Sequence, residues 1–344
     1  MCTCMTYQTD EFYFGRNLDL EYSFGEQIVI TPRNYRFSFE GNEDGQNHFA
    51  MIGMANITDR YPLYAEAANE KGLCMAGLNF PENAVYHEET TGKENIASYE
   101  IIPWILRRFS NAEDAAEYLR KVVVTGKAFA ETMPTAPLHW MLADRKTCYV
   151  IEPMKDGLHI NQNPYGVLTN NPPFPFHMEN VKQYLNLTSE SPTNQFCKEL
   201  DLKPFGQGLG SFGLPGDFSP ASRFIKAVFL RWNSVSSKGK YGDVTQFFHI
   251  LDGVGMVRGS VRTEEGRNDI TTYSCCISPE QGVYYCKTYE NYQIQAVDMF
   301  KEDLGSAELI AYQMQKDQNI CWKNQRKAVE EERKRGEERS GRKK

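Results

Sequence analysis

The second residue of the chain is a cysteine, in the opening stretch MCTCMTYQTDEFYFGRNLD. An initiator methionine that precedes a small residue is usually removed, and its loss would leave Cys2 with a thiol and a free α-amine. Amide hydrolysis needs a nucleophile, a base for its proton and donors for the oxyanion, and a terminal cysteine supplies the first two. A free α-amine has a pKa of about 7.7–8.0, which suits proton transfer near neutral pH. From position alone, an ordinary N-terminal cysteine without a role is the simpler interpretation.

A cation and an anion follow in the stretch FGRNLD, as Arg16 and Asp19. A hairpin between TCMTY and FYFGRN would bring both side chains alongside Cys2. A guanidinium close to a thiol lowers its pKa, and Asp19 could accept hydrogen bonds from the α-amine. Taken alone, RNLD is equally compatible with a surface ion pair, so the two interpretations stay open at this point.

The six histidines fall in unrelated contexts, which predicts structural or surface positions and no catalytic role. The nine cysteines are an odd number without the spacing of a disulfide framework. Cys275 and Cys276 lie in an apolar run and are predicted to be reduced thiols of the core. Cys2 and Cys4 form a C-x-C pair that lacks a second ligand pair, so no metal site is expected. A non-enzymatic thiol or metal-binding protein remains a remote alternative.

The composition is that of a globular protein, with 344 residues and 41% hydrophobic residues. The sequence shows no apolar run of membrane-spanning length and no signal peptide, so we expect a cytoplasmic protein without membrane contact. Residues 323–344 contain ten Lys or Arg and five Glu, whereas the net charge of the whole chain is −7. The acidic body argues against nucleic acid as a partner. The boundaries predicted are one domain over 1–322 and a charged, disordered tail over 323–344.

Strand-like and helix-like segments follow one another in blocks, which predicts an α+β fold of mostly antiparallel sheets with outer helices. EQIVITPRNYRFSF, HFAMIGMANI and LHWMLADRKTCYVIEP are typical of strands, and ITTYSCCIS, GVYYCKTY and YQIQAV predict a meander. Helices are expected over 98–108, from a capping box at Ser110 to Gly126, from Ser219 and Pro220 onward, and from a cap at Asp243.

The ordered motifs of the chain resemble those of the choloylglycine hydrolases, in particular the bacterial bile salt hydrolases, with penicillin V acylases as the sister branch. The motifs include MCT, YFGRNLDLEYSFGE, NEKGLCMAGLNFP, PLHWMLAD, VLTNNPPF and GLPGDFSPASRFIKA, and the resemblance extends from Met1 to about Trp322. It implies an N-terminal nucleophile hydrolase fold with four αββα layers, no metal or organic cofactor, and a homotetramer.

The resemblance also implies roles for six residues. Cys2 matches the nucleophile, Arg16 the basic residue beside the sulfur, Asp19 the acid that holds the α-amine, Asn79 and Asn170 the oxyanion donors, and Arg223 the arginine that supports the pocket. Without the family, Asn79 is equally a strand-end cap and Asn170 part of a simple turn. Cys4 departs from relatives that often carry an unreactive residue there, which implies a sensitivity to oxidation.

The implied substrate is a bile acid joined to glycine or taurine by an amide. Penicillin V acylases resemble one another in having Tyr where this chain has Asn79, so asparagine favours bile salts. Leu18, Phe24, Phe129 and Met133 match segments that line the apolar cleft of relatives, with core packing as the alternative for each. Hydrolysis of penicillin V or of acyl-homoserine lactones is the alternative activity.

Overall fold

The structure is a computed structural model that describes residues 1–39 and 47–324. The strands in chain order are β1 (Cys2–Gln8), β2 (Phe12–Leu20), β3 (Gln27–Thr31), β4 (Met51–Thr58), β5 (Tyr61–Asn69), β6 (Cys74–Asn79), β7 (Glu94–Ala97), β8 (Val122–Thr125), β9 (Leu138–Ala143), β10 (Cys148–Met154), β11 (Gly157–Gln162), β12 (Val167–Leu168), β13 (Ile270–Ser278), β14 (Val283–Thr288), β15 (Gln295–Asp298) and β16 (Ile310–Tyr312). The helices are α1 (Ile101–Leu106), α2 (Ala112–Leu119), α3 (Phe174–Asn180), α4 (Pro220–Asn233) and α5 (Gly242–Asp252).

Two large antiparallel sheets form the centre of the fold. One sheet has the order β12-β1-β2-β13-β14-β15, and the other has the order β11-β10-β9-β6-β5-β4-β3-β16. The predicted hairpin is confirmed as β1–β2 and the predicted meander as β13–β14–β15. The short pair β7–β8 is parallel. The α+β class predicted from the block order is therefore confirmed.

The period-two pattern of the eight-stranded sheet divides the apolar side chains between two cores. Ile28 and Ile30 of β3 lie in the inner core with residues of β1 and β2, whereas Val29 lies in an outer core with α1 and α2. Phe224 of α4 and Phe247 of α5 join the inner core. Side chains alternate in this way because successive residues of a strand point to opposite faces. The result is the four-layer αββα arrangement.

Of the three helix caps predicted from the sequence, one is confirmed and two are wrong. Ser219 caps α4 through a hydrogen bond from the Ser222 N–H, and Pro220 occupies the first helical position, as predicted. The capping box predicted at Ser110 is wrong, because Asn111 is the cap and accepts from the Asp114 N–H at 2.9 Å. Asp243 is not a cap either; it lies in the first turn of α5 and accepts from Thr9 Oγ1 at 2.8 Å.

Three predicted elements are longer than the observed ones. The helix predicted over 98–108 is limited to α1, and the helix predicted to continue to Gly126 ends at Leu119. The run VVVT that follows forms β8, since β-branched residues favour a strand. The long strand predicted from Glu26 is limited to β3, which ends before Pro32 because proline cannot donate to the sheet.

No helix within the described residues is long and apolar enough to cross a membrane. The predicted tail over 323–344 lies outside the described residues except for its first two positions. The division into a domain over 1–322 and this tail stays a prediction.

Candidate active site

The β1–β2 hairpin places Cys2 beside the stretch that carries Arg16 and Asp19. Its register pairs Cys2 with Leu18 and Cys4 with Arg16. Arg16 is thus the diagonal neighbour of Cys2 on the same face of the sheet, within reach of a long side chain. Cys2 is 4% exposed, so the sulfur is largely shielded from solvent.

The Arg16 guanidinium connects the sulfur to the second sheet. Its Nη2 donates to Cys2 Sγ, and its Nη1 donates to the carbonyl oxygens of Gly77 and Ala65. Nη1 also lies 3.6 Å from Glu66 Oε2. Burial by itself would lower the pKa of Arg16, but the Cys2 sulfur and the Glu66 carboxylate raise it. Arg16 therefore stays charged, and a cation in contact with a sulfur stabilises the thiolate.

Met1 is present in the structure and pairs with Asp19. The Asp19 N–H donates to Met1 O at 2.8 Å, and the Met1 ammonium donates to Asp19 O at 2.7 Å. The ammonium also lies 3.4 Å from Asp269 Oδ2. While Met1 is attached, the nitrogen of Cys2 is an amide that donates to Asn170 Oδ1 at 2.9 Å. An amide nitrogen has no basicity, so the Cys2 nitrogen cannot accept a proton in this form of the chain.

Two buried carboxylate oxygens near this terminus, Asp19 Oδ2 and Asp269 Oδ1, have no hydrogen-bond partner among residues 1–39 and 47–324. The other oxygen of Asp19 accepts from Thr271 Oγ1 at 2.6 Å. Burial raises the pKa of Asp19, while Arg223, the N-terminal ammonium and the Thr271 hydrogen bond oppose the rise. A buried acceptor without a partner costs about 1–3 kcal/mol, so a new donor in this region would be stabilising.

Arg223 and Asn170 are joined in one buried network. Arg223 Nη1 donates to Cys2 O and to Thr3 Oγ1, and Nη2 donates to Asn170 Oδ1 at 2.7 Å. Asn170 Nδ2 in turn donates to the backbone oxygen of Asn79 at 2.7 Å. The two donors that face Asn170 Oδ1 identify it as the oxygen of the amide. Arg223 is buried and thus holds both Asn170 and the strand that begins with Cys2.

Asn79 ends β6, where its backbone pairs with Leu138. Its side-chain amide has no hydrogen-bond partner within the part of the chain that the structure describes, so its N–H groups are available to a ligand. Asn170 Nδ2 carries two hydrogens and uses one on Asn79 O, which leaves one available. The oxyanion roles of both asparagines stay predictions that this geometry permits.

The four predicted substrate contacts divide into two groups. Phe129 and Met133 line one cavity of about 210 Å³. That cavity also contacts Ala65, whose carbonyl accepts from Arg16, but neither Arg16 nor Cys2 lines it. Leu18 and Phe24 do not line it, because Leu18 is buried opposite Cys2 and Phe24 packs against the inner core.

Comparison with known proteins places this site in a family. A sequence profile of the linear amide C–N hydrolases, choloylglycine hydrolase family, matches residues 2–312. The bile salt hydrolase/transferase of Lactiplantibacillus plantarum is 43% identical over 317 residues, which cover 92% of this chain and 98% of that protein. The bile salt hydrolase/transferase of Clostridium perfringens is 41% identical over 325 residues, with coverage of 93% and 99%.

The chain belongs to the choloylglycine hydrolase family. Membership makes it an amidohydrolase that acts on linear amide C–N bonds and replaces the alternative of a non-enzymatic thiol or metal-binding protein. A crystal structure of a conjugated bile acid hydrolase variant from Clostridium perfringens matches the fold with a TM-score of 0.87 at 40% identity, over 94% of this chain and 100% of that chain. A penicillin V acylase from Agrobacterium tumefaciens shares the fold with a TM-score of 0.72 at 18% identity, over 90% of each chain.

Two histidines of this choloylglycine hydrolase contact the backbone at Thr169 and Asn170. His139 Nε2 lies 3.1 Å from Thr169 O, and His177 Nε2 donates to Asn170 O at 3.2 Å. Burial lowers the pKa of His177 to about 4, so the ring is uncharged at neutral pH. Both rings are fully buried, in agreement with the structural role predicted for them. Cys275 and Cys276 are likewise confirmed as free, buried thiols.

Sequence reasoning missed three residues of the site: Glu66, Asp269 and Thr271. Glu66 is the only charged residue in the strand YPLYAEAAN, and a glutamate in such an apolar run is a signal that could have been noticed. Asp269 and Thr271 lie about 250 residues from Asp19 in sequence, and nothing local distinguishes them. Their proximity to the N-terminus is a result of the β2–β13 pairing.

Proposed function

We propose that this enzyme hydrolyses the amide bond between a bile acid and glycine or taurine, with Cys2 as a nucleophile exposed by removal of Met1. The contact between Arg16 Nη2 and Cys2 Sγ carries this proposal, because it places a fixed cation on a sulfur at the start of the chain. The bile salt hydrolase/transferases that are 43% and 41% identical to this chain support the substrate class.

In the acylation step, the Cys2 sulfur attacks the carbonyl carbon, so that an S–C bond forms and the C=O pair moves to the oxygen. The α-amine of Cys2 takes the thiol proton and passes it to the amide nitrogen. The C–N bond then breaks, and glycine or taurine leaves with that proton. Asn170 Oδ1, which is 2.9 Å from the Cys2 nitrogen in the unprocessed chain, orients the amine.

The oxyanion of this step needs donors that do not titrate. The unpaired amide of Asn79 and the second hydrogen of Asn170 Nδ2 are such donors, and they would stabilise developing negative charge in a site shielded from water. The unpaired Asp19 Oδ2 is the acceptor that we assign to the new α-ammonium.

Deacylation returns the enzyme to its starting state. Water adds to the thioester carbon and gives one proton to the α-amine. The S–C bond then breaks, the α-amine passes that proton to the Cys2 sulfur, and the bile acid leaves. An amine that replaces water would give a new amide instead. That both relatives are hydrolase/transferases favours this exchange as a second activity.

The test compares glycine and taurine release from glycocholate and taurocholate by the wild-type enzyme, Cys2→Ser and Cys321→Ser. Cys321 is exposed, so its variant controls for the loss of a thiol elsewhere. We expect release by the wild type and Cys321→Ser, loss of at least about 10³-fold in Cys2→Ser, and an intact mass that lacks Met1. Cleavage that survives in Cys2→Ser, or a fully active chain that retains Met1, would show the mechanism to be wrong.

Penicillin V and an acyl-homoserine lactone serve as competing substrates in the same assay. We expect both to be cleaved more slowly than the bile salts, because Asn79 replaces the tyrosine typical of penicillin V acylases. Faster cleavage of either would move the assignment to the acylase branch.

We also propose that the enzyme is a cytoplasmic homotetramer. This proposal rests on the resemblance to the family, which implies a homotetramer. Light scattering coupled to size-exclusion chromatography measures the mass directly.

A further inference from the structure

A buried glutamate lies behind the nucleophile on the opposite sheet. Glu66 belongs to β5 and is 0% exposed. The β4–β5 ladder pairs Met54 with Glu66 and Ala55 with Tyr64, so Ala65 is the extra residue of a β-bulge. Bulges next to active sites re-aim backbone and side-chain groups. Here the Ala65 carbonyl and the Glu66 carboxylate both meet Arg16 Nη1.

Three donors from the other sheet fix the Glu66 carboxylate. Tyr284 Oη donates to Oε1 at 2.6 Å, and Tyr273 Oη donates to Oε2 at 2.8 Å. Cys275 Sγ lies 3.6 Å from Oε1. These residues come from β13 and β14 of the six-stranded sheet, so the network crosses the interface between the sheets. Burial raises the pKa of Glu66, while the positive charge of Arg16 and these hydrogen bonds oppose the rise and favour the carboxylate.

Arg16 therefore has two anionic partners, the Cys2 sulfur and the Glu66 carboxylate. The sulfur carries its negative charge during only part of the reaction. The Cys2 sulfur is charged as a thiolate but neutral as a thiol and as a thioester. An isolated buried cation is strongly unfavourable, so Arg16 needs a second, permanent partner while the acyl-enzyme exists. Glu66 is 3.6 Å from the guanidinium nitrogen on the side away from the sulfur contact.

We propose that Glu66 is a positioning residue of the reaction: its carboxylate, fixed by Tyr273 and Tyr284, orients Arg16 toward Cys2 and balances its charge whenever the sulfur is neutral. The proposal concerns the thiol itself and deepens the proposed function, on which its kinetic consequence rests. A purely structural glutamate would affect folding without changing how Cys2 titrates.

Other charged and titratable groups face Cys2 and Arg16 as well, and they stay unchanged in Glu66→Gln. They are Cys4 on β1, Asp19 on β2, Tyr273 and Cys275 on β13, Tyr284 on β14, Asp269 before β13, Arg223 on α4 and the N-terminus.

The decisive variant is Glu66→Gln, which keeps the shape of the side chain and removes its charge. Cys2 alkylation by iodoacetamide is followed against pH, with the N-terminal peptide read by mass because Cys197 and Cys321 are also accessible. The Gly77 and Ala65 carbonyls still hold Arg16 against the sulfur in this variant, so the whole charge of Arg16 acts on Cys2 once the carboxylate is gone. At an effective dielectric constant of about 20, a charge on the order of 7 Å away moves the midpoint toward acid by about one pH unit or more.

Glu152→Gln is the matched control, since Glu152 is also fully buried but contacts His139 and the Phe174 N–H instead of Arg16. We expect its alkylation midpoint to stay within about 0.3 units of the wild type. We also expect kcat/KM for glycocholate to fall roughly tenfold in Glu66→Gln, because Arg16 loses the anionic partner that balances its charge as the sulfur becomes neutral during acylation.

A midpoint that is unchanged or moves toward alkaline pH in folded Glu66→Gln would overturn the proposal, as would an equal acid shift in Glu152→Gln. If Glu66→Gln does not fold, the double variant Tyr273→Phe/Tyr284→Phe decides, because it leaves the buried carboxylate without its hydroxyl donors and should give the same acid shift. Alkylation needs no substrate, so a failure to cleave bile salts would refute the proposed function and leave this result standing.

Discussion

The variant Thr271→Val removes the hydroxyl that fixes Asp19 and preserves the shape of the side chain. Thr271 Oγ1 donates to Asp19 Oδ1 at 2.6 Å and accepts from the Met256 N–H at 2.8 Å. A hydrogen bond to a charged group contributes roughly 1.5–3 kcal/mol, and a buried N–H left without a partner costs about 1–3 kcal/mol. Because the two contributions overlap, we expect the free energy of unfolding to fall by about 2–4 kcal/mol.

The same substitution affects catalysis through Asp19. Loss of the Thr271 donor removes one of the contacts that oppose the raised pKa of Asp19, so the pKa rises further. A protonated Asp19 cannot hold the α-ammonium of Cys2. We therefore expect the acid limb of the pH profile of kcat/KM to move to higher pH, with kcat/KM about tenfold lower on that limb, equivalent to about 1.4 kcal/mol of transition-state stabilisation.

Urea denaturation measures the stability, and taurine release between pH 4 and 8 measures the profile. Thr271→Ser is the matched control, because it keeps the hydroxyl and loses only a methyl group. The reasoning is refuted if Thr271→Val unfolds within about 0.5 kcal/mol of the wild type and retains its pH profile, or if Thr271→Ser loses as much as Thr271→Val.

Two further predictions concern stability. His177 has a folded pKa of about 4, below the unfolded value of about 6.5, so its contribution to the free energy of unfolding is present above pH 6.5 and is lost as the pH falls toward 4. In urea titrations over this pH interval, the free energy of unfolding of His177→Gln should fall by about 3 kcal/mol less than that of the wild type. Equal falls in the two proteins would contradict the assignment. Gly15→Ala places a Cβ 2.0 Å from Cys275 O and should lower the free energy of unfolding by about 1–3 kcal/mol or more. Gly216→Ala is the control and should be neutral, because nothing lies within 4 Å of its added Cβ. Equal melting temperatures of the two variants would contradict the packing argument.

The sequence by itself determines the parts of the site that are close together along the chain. Cys2, Arg16 and Asp19 belong to one hairpin, whose alternating pattern specifies both the pairing and the face of each side chain. The cap of α4 at Ser219 and Pro220 is local for the same reason. The family motifs extended this to Asn79, Asn170 and Arg223, whose roles no single segment could indicate.

The tertiary structure decided the contacts that join distant segments. Whether Val122 continues a helix or begins a strand depends on β7, which is available to pair with it, and the propensity of the segment alone did not exclude a helix. Glu66 meets Arg16 because two sheets pack face to face, and Asp269 reaches the N-terminus because β13 pairs with β2. Local sequence encodes the preferences of each strand, but the choice of its neighbour is made by burial of the whole core, and that choice assembled the network around Cys2.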